Sequence, residues 1–389
     1  MKHGRARLRH GLRRLRVAHL CTVDTSLAIL LGTELQVDVD AGFEVYGISA
    51  PGPFVAEVEH LGVRHVAVPS LTRRWDPRGD LAAARELLSV LRSLDLDVLH
   101  THNPKTGVLG RMAGRAARVP VVVNTCHGLW AQPEDGLVRR VLVYGAEAFA
   151  ASFSDVELYQ NDTDRRALRH LVPQRRARTV GNGIDLDRFR HDAAGRTRVR
   201  AELGVADGEV LVGGVGRLVE AKGVREFSAA ARALSGRATF VWAGPLDPDK
   251  SDHLSTDQEG VRFLGMRRDM RDLYSALDIF ALPTYREGIS RAGMEAAACG
   301  CALVLTDIRG CREIGQHERH LLLVPPRDTD GLIAAITRLL EDPPLRARLG
   351  RHAAAYARRS FDQRRLADAS IQAYQAVAHR KGLGWRDGR

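Results

Sequence analysis

Short β-rich runs and amphipathic helical runs alternate along nearly the whole chain, and midway the alternation starts again. RVAHLC, EVYGIS, RHVAVP, DVLHTH and VPVVVNT read as strands, with LAAARELLSVLRSL and TGVLGRMAGRAA as helices between them, and DVELYQN and RARTVGNGID close the first half. EVLVGGVGRL, ATFVWAG, VRFLG, DIFALP, CALVLTD and HLLLVP then form a second set of strands with helices between. Strands that alternate with helices build βαβ units, whose parallel sheet is covered on both faces. The expected fold class is α/β, with two doubly wound Rossmann-like lobes and a ligand cleft at the carboxyl ends of the strands. A length of 389 residues also favours two domains over one. The expected division is a tail over 1–16, a first lobe over 17–188, a second over 189–360, and a crossing helix with a tail over 361–389. The C-terminal helices are expected to pack back toward the first lobe.

The charge of +11 comes from 58 basic residues, of which only five are lysines. Against that background Lys105 and Lys222 stand out. The arginines are spread along the chain and aromatics make up 5%, which leaves few stacking platforms for nucleic acid. The tail MKHGRARLRHGLRRLR puts Leu8, Leu12 and Leu15 on one helical face with arginines around the rest. That pattern suits either an anionic lipid surface or a solvated tail. No run approaches the roughly 20 apolar residues of a membrane span. The five cysteines show no CxxC spacing and read as free thiols of a cytosolic protein.

The richest motif is Glu287-Gly288-Ile289-Ser290-Arg291-Ala292-Gly293-Met294-Glu295, directly after the strand DIFALP. Eight residues of helix separate the two glutamates by about 12 Å, roughly a nucleotide sugar from hexose hydroxyl to ribose. The amides of Gly288, Ile289 and Ser290 are expected to open the helix toward an anion. The same separation argues against a retaining hydrolase pair, which needs about 5–5.5 Å. Alone, the motif also fits two solvated glutamates. Gly213-Gly214-Val215-Gly216-Arg217 follows another strand, and Lys222 opens the next helix. Arg217 and Lys222 there suit a diphosphate, or else a structural turn with surface charge.

His127 lies just past VPVVVNT, as a site residue or a packed histidine. His102, Asn103 and Lys105, in a strand-to-helix loop, suit either contact with an acceptor or hydrogen bonding within the loop. His100 and His102 are expected on opposite faces of their strand, which argues against a metal pair, and no metal site is expected. No GxSxG elbow marks a Ser/His/Asp hydrolase.

GRLVEAKGV, EGISRAGME, ACGCALVLTDIRGCREI and NGID at 182–185 resemble the retaining group 1 glycosyltransferases, family 4, of GT-B fold. ISAPGP, HTHNPKTGVLGR and NTCHGLW resemble the subgroup that builds bacterial surface polysaccharides on lipid-linked acceptors. The resemblance implies a retaining, metal-independent hexosyltransferase with a UDP- or GDP-linked sugar as co-substrate and no cofactor. Arg217 and Lys222 would stabilise the departing diphosphate, Glu287 contact the donor sugar, Glu295 the ribose, and His127 the transferred sugar. Donor binding would also use Gly216, Gly288, Ile289 and Ser290. The diphosphate itself would take the acceptor's proton on the same face. The implied setting is the cytoplasm at the inner face of the membrane, beside a lipid-linked or saccharide acceptor. Many members carry a glycine pair after the first strand, where this chain has Thr22-Val23-Asp24-Thr25-Ser26. A GT-B sugar-nucleotide epimerase and an inactive partner subunit of a transferase are the alternatives.

Overall fold

The computed structural model describes residues 14–131, 135–248 and 252–383. The chain divides into two compact units: Met1–Gly181 with Gln363–Arg389, and Asn182–Asp362. The expectation for residues 1–13 of the tail lies outside the described residues.

The first unit contains β1 (Arg16–Val23), β2 (Glu44–Ala50), β3 (Arg64–Ala67), β4 (Val98–His102), β5 (Val121–Cys126), β6 (Val156–Tyr159) and β7 (Ala177–Thr179). They form one seven-stranded sheet in the order β3-β2-β1-β4-β5-β6-β7, and every pairing is parallel. Its helices are α1 (Gly32–Asp40), α2 (Val55–His60), α3 (Pro77–Ser93), α4 (Pro104–Ala116), α5 (Leu137–Ala151) and α6 (Asp162–Ala167). Asp76 starts α3 by accepting from the Gly79 amide at 2.9 Å, with Pro77 in the first turn, where its missing N–H costs nothing.

The second unit holds α7 (Ala193–Leu203), β8 (Leu211–Val215), α8 (Val224–Ala233), β9 (Thr239–Ala243), β10 (Arg262–Phe263), α9 (Met270–Ala276), β11 (Ile279–Leu282) and α10 (Arg291–Ala298). It continues with β12 (Ala302–Thr306), α11 (Arg309–Arg312), β13 (Leu322–Val324), α12 (Thr329–Glu341) and α13 (Pro343–Ser360). Six parallel strands run β10-β9-β8-β11-β12-β13. Val, Leu, Ile and Ala dominate the central strands of both sheets because parallel strands are buried on both faces.

Two boundaries differ from expectation. The units divide at Gly181, within a short polar stretch, and not at 188. Of the two C-terminal helices, α13 packs on α10 and β12 of its own unit, and only α14 (Gln363–Arg380) joins the first. There Ala373, Tyr374 and Val377 pack among Val17, Val98, Val121 and Leu158. In each sheet the chain reverses its direction of travel between two neighbouring strands: β1 and β4 in the first, β8 and β11 in the second. Doubly wound sheets bind ligands beyond the carboxyl ends of such strands.

Candidate active site

In the second unit the chain leaving β8 and the chain leaving β11 are stitched together. The Tyr285 amide donates to the Ala221 carbonyl at 2.9 Å, and the Thr284 hydroxyl donates to the same oxygen at 3.1 Å. Gly223 lies beneath this seam with φ +71°, and a Cβ there would sit 2.1 Å from the Pro283 carbonyl oxygen. Only glycine meets both conditions. The turn so formed aims Lys222 at Glu287, and Nζ donates to Oε1 in a half-buried ion pair. The Lys222 stem lies along Gly216, where a Cβ would be 3.4 Å from Cδ. Arg217 comes next and pairs with Asp247. Gly216, Arg217, Lys222 and Glu287 are therefore held around one turn, Arg217 by Asp247 and Lys222 by Glu287.

The start of α10 departs from expectation. Ser290 caps the helix, its Oγ accepting from the Gly293 amide at 3.1 Å, while its own N–H points to the Gly310 carbonyl at 3.4 Å. That amide is directed within the chain and not toward an anion. Ile289 is buried in the core. Glu295 is buried on α10, accepting from the Tyr274 hydroxyl at 3.0 Å and from Arg291 Nε at 3.2 Å. Burial raises its carboxyl above the ordinary range, opposed by Arg291. One end of the motif, Glu287, carries an ion pair with Lys222, and the other, Glu295, is a carboxylate bound by Tyr274 and Arg291. Asp247 and Tyr274 were absent from the sequence reading; they lie 30 and 21 residues from their partners, with no motif to mark them.

In the first unit His100 and His102 lie on the same side of β4, their ring centroids 4.2 Å apart. The expectation of opposite faces fails because residues two apart on a strand share a face. A row of side chains crosses the sheet, from α1 through β1 and β4 to the residues that follow β5 and β6. Asp38 Oδ2 of α1 lies 2.9 Å from His19 Nε2, and His19 Nδ1 lies 3.1 Å from His102 Nε2. His102 Nδ1 lies 3.0 Å from His127 Nε2, and His127 Nδ1 lies 2.7 Å from Gln160 Nε2. His19, Asp38 and His102 are wholly buried, whereas His127 is half-buried. Burial pushes the His100 and His102 imidazoles well down. It also acts to lower His19, but the Asp38 bond outweighs it and holds that ring above its ordinary value.

His19, His100 and His102 bring possible metal-ligand nitrogens within 4.8 Å of one another. Each ring also makes hydrogen bonds, His19 with Asp38 and His102, His102 with His127, and His100 with Tyr374 and Thr125 at 2.7 Å each. His102 is wholly buried. Asn103 takes the unusual φ of 64° and accepts from the Thr22 amide at 3.2 Å. Lys105 is buried, pairs with Asp80 and donates to the Arg74 carbonyl at 2.6 Å. These three polar groups bind loops together; His102 and Lys105 are buried, and Asn103 is half-buried. Asp24 fills the loop after β1, accepting from the amides of Thr25 at 2.8 Å and Phe54 at 2.6 Å. Where the resemblance expects a glycine pair, this loop holds a buried carboxylate bound by two backbone amides.

On the outside of the same unit, Leu137, Val138, Val141 and Leu142 of α5 are between 61% and 74% exposed. Trp75 and Trp130 are exposed too, with their rings edge-to-face at 5.8 Å. No helix among the described residues is long and apolar enough to cross a membrane. All five cysteines are free.

Residues 209–342 match the family Glycosyl transferases group 1, and residues 36–188 match Glycosyltransferase Family 4. The UDP-Gal:alpha-D-GlcNAc-diphosphoundecaprenol alpha-1,3-galactosyltransferase of Escherichia coli is 28% identical over 295 residues, 73% of this chain and 76% of that one. The D-inositol 3-phosphate glycosyltransferase of Saccharomonospora viridis is 30% identical over 314 residues, 74% of this chain and 72% of that one. In fold, the chain is similar to the crystal structure of Anabaena Alr3699/HepE in complex with UDP and glucose. The TM-score is 0.78 at 20% identity, over 93% of this chain and all of that one.

Proposed function

The chain belongs to the group 1 glycosyl transferases of family 4, and from that premise we propose that it moves a hexose from a UDP- or GDP-linked donor to a lipid-linked saccharide. The observation that carries this reading is the gathering of Gly216, Arg217, Lys222 and Glu287 around one turn at the carboxyl edge of the second sheet. Arg217 and Lys222 bind the diphosphate and stabilise the charge that grows on it as the anomeric C–O bond breaks. Their present partners, Asp247 and Glu287, are exchanged for phosphate oxygens, which frees Glu287 for the sugar. The backbone of Gly288 and Ile289 lines the same donor, and Glu295 takes the ribose hydroxyls. His127 meets the transferred sugar.

Transfer proceeds with retention and needs no divalent metal, since two fixed cations neutralise the leaving group. The Escherichia coli relative is named for forming an alpha linkage from UDP-Gal, which supports retention. Its diphosphoundecaprenol substrate supports a lipid-linked acceptor in polysaccharide biosynthesis. The exposed apolar residues of α5, with Arg139 and Arg140 among them, suit peripheral docking to the cytoplasmic face of an anionic membrane. The test is transfer from a panel of UDP- and GDP-hexoses to undecaprenyl-diphosphate-linked saccharides in the presence of a chelator, with the product's anomeric configuration read by NMR. An inverted product, or activity abolished by chelation, refutes the mechanism; an epimerised donor in the absence of acceptor refutes the transfer.

A further inference from the structure

Two tryptophans of the first unit meet at its surface. Trp75 is 49% and Trp130 46% exposed, and their ring planes stand 66° apart with centroids at 5.8 Å. Trp75 lies in the loop that leaves β3, and Trp130 in the loop that leaves β5, three residues beyond His127. Because the sheet is parallel throughout, both loops rise from its carboxyl edge, although β2, β1 and β4 separate their strands. We propose that this aromatic corner is the subsite on which the saccharide of the acceptor stacks. The proposal rests on the transferase reading and on His127 as a residue at the transferred sugar.

Both indoles are held out by anchored backbone. Leu129 and Ala131, on either side of Trp130, are buried, so the indole between them faces outward. The Leu129 amide donates to Asp164 Oδ2 of α6 at 3.0 Å, and Arg139 Nη2 donates to the Trp130 carbonyl at 3.1 Å. On the other loop, Lys105 at the start of α4 donates to Thr72 Oγ1 at 3.2 Å and to the Arg74 carbonyl at 2.6 Å. The same ammonium pairs with Asp80 of α3 and lies 5.8 Å from the centre of the Trp75 ring. The buried lysine thus ties the loop down just before Trp75, and the Asp76 cap on α3 ties it down just after. A platform fixed before its ligand arrives loses little entropy on binding.

The chemistry of the corner selects a sugar over a lipid. A pyranose presents a face of C–H groups with hydroxyls at its rim, and an indole offers an apolar face with one N–H donor. Among the described residues, no group accepts from either indole N–H. A polyprenyl chain would cover the rings and leave both donors unanswered. Trp75 is the one large apolar side chain in the exposed run 72–78, among Arg73, Arg74 and Arg78. Those arginines complement a diphosphate attached to the saccharide. The aliphatic strip of α5 is, by contrast, the surface suited to lipid.

The experiment is fluorine NMR of the full-length protein labelled with fluorotryptophan, the resonances being assigned with Trp75→Phe and Trp130→Phe. The probes are the methyl α-glycosides of glucose, galactose, N-acetylglucosamine and N-acetylgalactosamine, then farnesyl diphosphate, then phosphatidylglycerol vesicles. At least one glycoside is expected to move both resonances saturably and to leave that of the buried Trp242 in place. A response to farnesyl diphosphate or to vesicles that matches the glycoside response overturns the proposal, as does no response to any glycoside. In transfer assays Trp130→Ala is expected to raise the acceptor KM about tenfold while kcat and donor KM stay within about twofold. Trp130→Phe is expected to recover most of that loss. An unchanged acceptor KM in a Trp130→Ala protein that melts as the wild type does also overturns the subsite. The glycoside titration is read on the wild-type protein and stands whether or not the alanine variant folds. If no donor is transferred while a glycoside still moves both resonances, the transferase reading falls and the subsite stands; transfer without such movement removes the subsite alone.

Discussion

The two units solve the same architectural problem with different interiors. In the second, one continuous apolar cluster surrounds the sheet, and the charged residues of the site stand at its rim. In the first, the buried apolar residues fall into four separate clusters, with His19, His100, His102, Glu34 and Asp38 buried at the same carboxyl edge. A uniform core makes a rigid platform for cations. A core that encloses polar groups must satisfy them, and its stability becomes sensitive to their protonation.

The contrast is tested most severely by truncating the second core. Trp242 is wholly buried against Phe227, with Nε1 donating to the Gly216 carbonyl at 2.8 Å. Trp242→Ala is expected to cost about 3–5 kcal/mol in urea unfolding and to loosen the phosphate turn as well. Lys222→Ala comes next: a fall in kcat of about 10²–10³-fold with little change in melting temperature. Parallel loss of stability and rate would show that this rim residue belongs to the core after all. A smaller effect concerns pH. His100 is neutral when folded but binds a proton near 6.5 when unfolded. The unfolded state therefore binds more protons below that pH, and stability falls as the pH drops. Relative to His100→Gln, the wild-type protein should lose about 1.4 kcal/mol for each pH unit below 6.5. Equal slopes in urea titrations of the two proteins would remove the distinction drawn for the first unit. Smallest is Leu142→Glu, which should halve or further reduce co-sedimentation with anionic vesicles, while turnover of a water-soluble acceptor stays within about twofold.

Most strands were legible, because buried parallel strands are short apolar runs between helical repeats, whereas DVELYQN and RARTVGNGID, which hold β6 and β7, only marked the end of the first half. The return of α14 to the first unit matches expectation, but that of α13 to its own unit does not, since an amphipathic face does not say which unit it covers. Lys222 and Glu287 could be nominated from the motifs, but their ion pair joins residues 65 apart and depends on the seam at Ala221. The histidine row was missed for a similar reason. His19 and His102 are 83 residues apart, and only the β1–β4 pairing makes them neighbours. Reading His100 and His102 with the wrong strand period hid the one local clue.

The return of α14 to the first sheet has a consequence for biosynthesis. The ribosome makes β1 to β7 first, yet Ala373, Tyr374 and Val377, which complete their packing, are translated only after the whole of Asn182–Asp362. The nascent first half must wait with an apolar flank open while the intervening unit, contiguous in the message, can fold unaided. A premature stop near codon 362 would thus yield one finished half and one unfinished half, with the latter exposed to proteases and chaperones.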